Sequence, residues 1–211
     1  RGEAPTGLEV VNLTGPSDGA GRNVFAAVEV DANLPEDGYL TIEFELLPAP
    51  LGSAMVGLGP VNAAIQDSGG AAPGPMIGWF NEYGLVVRGA AHGEIQPALD
   101  PLGERLRSFN PERWIKVRSR WALANDDAGR IATLEYAVGD LENPEWRSAF
   151  FDDMQSQRTA QLGLYGTNPS SDPSAWNAIL IRLQDNFDAE NIGSPADCQA
   201  AIRNLTLRWE K

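Results

Sequence analysis

Apolar and polar residues alternate with a period of two in short runs along the whole chain, and the runs close on Gly, Pro, Asn or Asp. Leu40-Thr41-Ile42-Glu43-Phe44-Glu45-Leu46 is the clearest run, and Trp114-Ile115-Lys116-Val117-Arg118-Ser119-Arg120-Trp121 matches it. Successive side chains on a strand point to opposite faces. Alternation therefore buries one face and leaves the other to water or a ligand. Ile42, Phe44 and Leu46 share one face of their strand, and Thr41, Glu43 and Glu45 share the other. Trp121 has the parity of Ile115 and Val117, which predicts a core position.

The same pattern predicts strands at Val24–Val30, Tyr39–Leu47, Ser53–Leu58, Met76–Asn81, Leu85–Arg88, Arg113–Ala124, Ile131–Val138, Gln161–Gly166, Ala178–Phe187 and Ala200–Trp209. Asn33-Leu34-Pro35-Glu36-Asp37-Gly38 and Asn125-Asp126-Asp127-Ala128-Gly129 carry turn chemistry, with Pro fixing φ and Gly supplying positive φ. Residues 60–75 and 89–112 are long connections. Within the second, Pro101–Ser108 is expected to form a short helix, and Pro144–Phe150 a helical turn. The fold class that follows is all-β: an antiparallel β-sandwich, a jelly roll of two packed sheets. Residues 1–22 read as an N-terminal extension or first strand, and residues 23–211 as a single jelly-roll domain without an internal linker or repeat.

Composition narrows the function classes. Sixteen basic against 29 acidic residues leave a net charge of −13, the wrong sign for neutralising nucleic-acid phosphates or for adhering to anionic membranes. No apolar run approaches the roughly 20 residues that span a bilayer, so neither nucleic acid nor membrane insertion is expected. The single cysteine, Cys198, excludes an intrachain disulfide and reads as a small buried hydrophobe. The chain begins at Arg1 rather than Met, as a processed or excised chain would; removal of a secretory signal is one explanation, and a secreted or cell-surface location is the expectation that goes with it. Two N-x-T sequons, at Asn12 and Asn204, are compatible with secretion.

Several residues are candidates for chemistry. Glu43 and Glu45 lie two apart on one face, about 7 Å by strand rise, near the separation of paired glycosidase carboxylates. Lys116, Arg118 and Arg120 alternate on another strand and offer a simpler role, a cross-strand ladder of ion pairs. Contact with a glycan is a third. Six tryptophans are available, and Trp79, Trp146 and Trp176 border loops, where a ring can stack on a sugar as readily as fill a core. Asp185 and Asp188, in Asp185-Asn186-Phe187-Asp188, either cap a strand or supply oxygen ligands to Ca²⁺, the one cofactor the sequence suggests. His92 is the lone histidine, and neither a nucleophile elbow nor a phosphate-cradling glycine loop accompanies it.

Four segments carry a family resemblance: Gly38–Glu45, Arg113–Arg118, Gln161-Leu162-Gly163-Leu164-Tyr165-Gly166, and Ala201–Leu207 with its Asn204-Leu205. In order and texture they resemble the concanavalin A-like lectin/glucanase superfamily, which includes laminin-G-like and sugar-hydrolase-like modules. The resemblance implies a jelly-roll sandwich with a concave sheet that binds glycans. The glucanase branch carries Glu-x-Asp-x-Glu on a catalytic strand. Here Glu43-Phe44-Glu45 stands alone without the Asp.

Three functions are open on this reading. The first is an extracellular glycan-binding or glycan-associated module without its own catalysis, contacting carbohydrate through Glu43, Glu45, Arg118, Arg120, Trp79, Trp146 and Trp176. The second is a polysaccharide-degrading enzyme using Glu43 and Glu45. The third is a structural subunit of a surface layer or fibre, homo-oligomeric through edge strands.

Overall fold

A computed structural model describes residues 10–11, 22–29, 38–61, 74–89, 95–122, 130–151, 158–162, 176–185 and 200–210. Among these, the strands are β1 (Val10–Val11), β2 (Arg22–Glu29), β3 (Tyr39–Leu47), β4 (Gly52–Gly59), β5 (Met76–Phe80), β6 (Gly84–Arg88), β7 (Ile95–Pro97), β8 (Ile115–Ala122), β9 (Arg130–Val138), β10 (Arg147–Ser148), β11 (Ala160–Gln161), β12 (Ala178–Asp185) and β13 (Ala201–Glu210). They form two antiparallel sheets. The front sheet runs β1-β13-β3-β8-β9-β10, with β11 also paired to β9, and the back sheet runs β2-β12-β4-β5-β6-β7. Chain neighbours sit in opposite sheets at several steps, as in β2 to β3 and β12 to β13. This is the jelly-roll β-sandwich that the alternation predicts.

The core lies between the sheets. Leu40, Ile42, Phe44 and Leu46 of β3 meet Ile115, Val117 and Trp121 of β8 on the inner face of the front sheet, opposite Val56, Ile77, Leu85 and Ile181 of the back sheet. Trp121 is fully buried, and its indole N–H donates to Ser119 Oγ at 2.7 Å, a polar pair inside an apolar layer. The back sheet differs from the front because both of its faces are buried. Met55, Met76, Val86, Ala178 and Leu180 form a second cluster on its outer side, and every residue of β4 is buried. Alternation is accordingly weak along Gly52-Ser53-Ala54-Met55-Val56-Gly57.

Two helical expectations are corrected. Residues 101–108 contain turns and an isolated bridge, Leu99 to Arg105, where a helix was expected. Asp100 Oδ1 accepts the backbone N–H groups of Leu102 and Glu104 at 2.8 and 3.0 Å, so the carboxylate holds a turn rather than starting a helix. The stretch after Pro144 supplies the short strand β10, whose Arg147 and Ser148 pair with Tyr136 and Glu135. The open edge of β9 accepts that pairing.

Candidate functional site

The outer face of the front sheet collects the polar half of every alternating strand. β3 places Thr41, Glu43 and Glu45 there, opposite Arg120, Arg118 and Lys116 of β8 in register. Glu135 of β9 lies opposite Arg118. On β13 a bulge between Arg203 and Thr206 sets the phase, with Asn204 at φ 52°, a left-handed conformation that Asn tolerates. The bulge keeps Arg203, Thr206 and Arg208 beside Glu45, Glu43 and Thr41 while Leu205 and Leu207 enter the core.

The charges form a ladder, along diagonals as well as rungs. Lys116 Nζ passes its register partner Glu45 and reaches Glu43 at 3.2 Å. Arg208 joins the same carboxylate at 3.5 Å. Glu45 is held by Arg203 at 2.6 Å. Arg118 turns to β9 and donates twice to Glu135 Oε2, at 2.9 and 2.7 Å. Arg120 pairs with Glu210 at 3.3 Å. Each carboxylate of the face thus has a cation, and Glu43 and Glu45 point to different partners.

Three of the guanidinium groups also lie over aromatic rings: Arg118 on Trp146 at 4.1 Å, Arg120 on Tyr39 at 3.9 Å and Arg203 on Trp114 at 4.1 Å. Three aromatic–arginine–carboxylate stacks therefore line one sheet face. Beside the Arg118 and Arg120 stacks runs a groove of about 360 Å³ lined by Thr41, Arg118, Arg120, Thr133, Glu135, Arg208 and Glu210. Thr41 Oγ1 is buried there without a hydrogen-bond partner among the protein atoms.

The groove unites Arg118 and Arg120, both singled out in the sequence; Trp146 touches it through Arg118 and Glu43 through Arg208, while Glu45 is held by Arg203 outside the lining. Trp79 and Trp176 require correction. They are 2% and 3% exposed members of the core rather than open loop rings, and Trp79 reaches solvent only as one wall of a cavity of about 240 Å³ shared with Pro48, Asn81 and Phe109. Trp79 even spends its indole N–H on Ala49 O at 2.6 Å. Tyr39, Trp114, Glu135, Arg203, Arg208 and Glu210 were missed. Trp114 shares the parity of Lys116, Arg118 and Arg120, and Tyr39 that of Thr41 and Glu43, so strand phase was a signal for both. The bulge at Asn204 hid the others on β13.

Asp185 ends β12, in register with Arg22 and Gly52. Asp188, His92, Cys198 and the Asn125-Asp126-Asp127 turn lie outside the described residues. Among the described residues, no group of three or more His, Cys, Asp or Glu is placed to hold a metal ion.

No family model matches the chain. No curated protein matches it either. Among solved structures, it is similar to the marine PL-14 alginate lyase from Aplysia kurodai, with 10% identity over 86% of this chain and 74% of that one, at a TM-score of 0.49. It is also similar to the alginate lyase vAL-1 from Chlorella virus, with 12% identity over 99% of this chain and 92% of that one, at a TM-score of 0.32. The fold stands on the strand pairing described above, and neither likeness assigns this chain an activity.

Proposed function

We propose that the outer face of the front sheet binds a polysaccharide chain, and that the protein acts as a carbohydrate-recognition module. The observation that supports this is a groove lined by two ring-stacked guanidinium groups, Arg118 on Trp146 and Arg120 on Tyr39, with a third such stack, Arg203 on Trp114, on the same sheet face. Sugars are recognised by planar groups that bond vicinal hydroxyls in pairs and by flat surfaces that pack on the C–H face of the ring. Arginines held by both a carboxylate and a ring supply both functions without first losing side-chain freedom. Thr41 and Thr133 add hydroxyls at the groove wall. The face carries five cations and four carboxylates in a chain of net charge −13, so it tolerates an acidic polymer that the rest of the surface repels.

The ion pairs also weigh against Glu43 and Glu45 as a hydrolytic pair. Each is tied to a cation, and Glu43 to two. Cleavage in the same groove is the second reading, and one experiment separates the two. Affinity electrophoresis against neutral and acidic polysaccharides, alginate among them, measures binding, and release of new chain ends from the same mixtures measures cleavage. Expected are binding without release, and a loss of about tenfold in affinity for Arg118→Ala or Arg120→Ala, the value of one charge-assisted hydrogen bond. Full affinity in the folded double variant would overturn the assignment of the groove. Release of chain ends would establish the enzymatic reading.

A further inference from the structure

A second cavity, of about 480 Å³, lies where β9 pairs with β10, with a lining that shares no residue with the groove. It is lined by Asp100, Pro101, Leu102, Tyr136, Arg147, Ser148, Phe150 and Arg158. Tyr136 is an inward-facing residue of β9 whose ring packs in the core, 5.6 Å from Phe109. Arg147 is its register partner on β10. The opposite wall is the turn at Asp100, fixed to the β10 side by reciprocal backbone bonds between Leu99 and Phe150 at 2.8 and 3.0 Å. The cavity is thus framed by paired backbone.

Its charges contrast with those of the groove. Every cation of the groove has a carboxylate partner. Among the described residues, neither Arg147 nor Arg158 forms an ion pair with a carboxylate, and Arg158 instead lies over the Phe150 ring at 5.2 Å. Among the described residues of the lining, Asp100 is the one carboxylate, and its Oδ1 is spent on the turn. Leu102 is 80% exposed at the rim. Two unneutralised guanidinium groups, a phenol and an apolar wall of Pro101, Leu102 and Phe150 therefore converge on one space.

We propose that this cavity binds a small organic acid, a single carboxylate carried on a compact apolar body. Among the described residues of the lining, two arginines face one aspartate, a balance that suits a monovalent anion. Guanidinium groups take carboxylates in a planar, paired geometry. The leucine, proline and phenylalanine cover the body of the ligand. The Tyr136 hydroxyl, in the lining beside its register partner Arg147, donates to the second carboxylate oxygen. The volume falls within the range of small-molecule sites, about 300–1,000 Å³.

The test is an NMR titration of the whole chain with phenylacetate and, separately, with its neutral isostere phenylacetamide. Phenylacetate is expected to shift the amides of residues 100–104 and 147–150 in a saturable way, and the amide to bind about tenfold more weakly or worse, because it cannot make the charged pair. Arg147→Gln with Arg158→Gln is expected to remove the preference for the acid while the spectrum remains that of the folded protein. Tyr136→Phe is expected to lose about tenfold in affinity, the worth of one hydrogen bond to a charged group. Equal binding of acid and amide would overturn the proposal. So would undiminished affinity in the double variant, or no saturation at about 10 mM ligand. Polysaccharide binding at the groove is read by a different assay, so either proposal can fail alone.

Discussion

Replacing Arg203 by alanine tests whether the front-sheet carboxylates are structural. Glu45 has a side chain only 11% exposed, and Arg203 Nε is its ion-pair partner at 2.6 Å. Arg203 also lies over Trp114 at 4.1 Å. Removing the partner of a fully buried charge costs about 3–5 kcal/mol. The Arg203 side chain is 34% exposed, so water screens the pair and the ionic part falls to roughly 1.5–2 kcal/mol. Loss of the ring contact adds about 0.5–1 kcal/mol. The expected destabilisation is therefore about 2–3 kcal/mol. For a chain of this length each kcal/mol shifts Tm by about 2–4 °C, so the fall is about 4–12 °C.

Urea unfolding followed by far-ultraviolet circular dichroism measures it, with Glu45→Gln and the double variant completing a cycle. The coupling between the two sites is expected at about 1–2 kcal/mol. Methionine at both positions is expected to recover most of the loss, since an apolar pair has no stranded charge. A loss below about 0.5 kcal/mol in Arg203→Ala, or strict additivity in the cycle, would refute the reasoning. Glu45 would then be free for the catalytic role that its spacing from Glu43 suggests.

Two further perturbations probe the core and its edge. Ser119→Ala removes the acceptor of the buried Trp121 N–H and is expected to destabilise by about 1–3 kcal/mol, measured by the same urea unfolding, with no change in the slope. Burial raises the Tyr136 hydroxyl above the ordinary tyrosine value of 10.0, with Arg147 working in the opposite direction. The unfolded chain therefore ionises first as pH rises. The stabilisation is complete below about pH 10 and is lost as pH climbs through the folded value. Tyr136→Phe is expected to flatten this alkaline decline in stability, and an unchanged decline would show that other groups carry it.

Much of the architecture was legible in the chain. The β3 expectation, Tyr39–Leu47, coincides with the observed strand, and the parity that assigned Ile42, Phe44, Trp121 and their neighbours to the core is the parity observed. The ion-pair ladder was legible as a class of interaction, because Glu43 and Glu45 on one strand and Lys116, Arg118 and Arg120 on another had to meet if the strands paired. Its partners were not. Arg118 turns to Glu135 and Glu45 to Arg203, choices that depend on which strands flank β3 and β8. The loop-bordering tryptophans divided for a similar reason. Trp146 lies against Arg118 of the groove, while Trp79 and Trp176 are buried in the core.

What the sequence determined by itself is local: period-two alternation, turn chemistry and charge placement give strands with defined inner and outer faces, because side-chain direction on a strand follows from backbone geometry alone. What the tertiary structure decided is adjacency. Residues 45 and 203 lie 158 positions apart, and their contact depends on β13 lying beside β3 and on a bulge at Asn204 setting its phase. The pairing of Tyr136 with Arg147, opposite the turn at Asp100, is likewise a product of sheet order. A strand's two edges offer identical backbone hydrogen-bonding groups to any partner, so local sequence orients the faces and only the packed whole selects the neighbours.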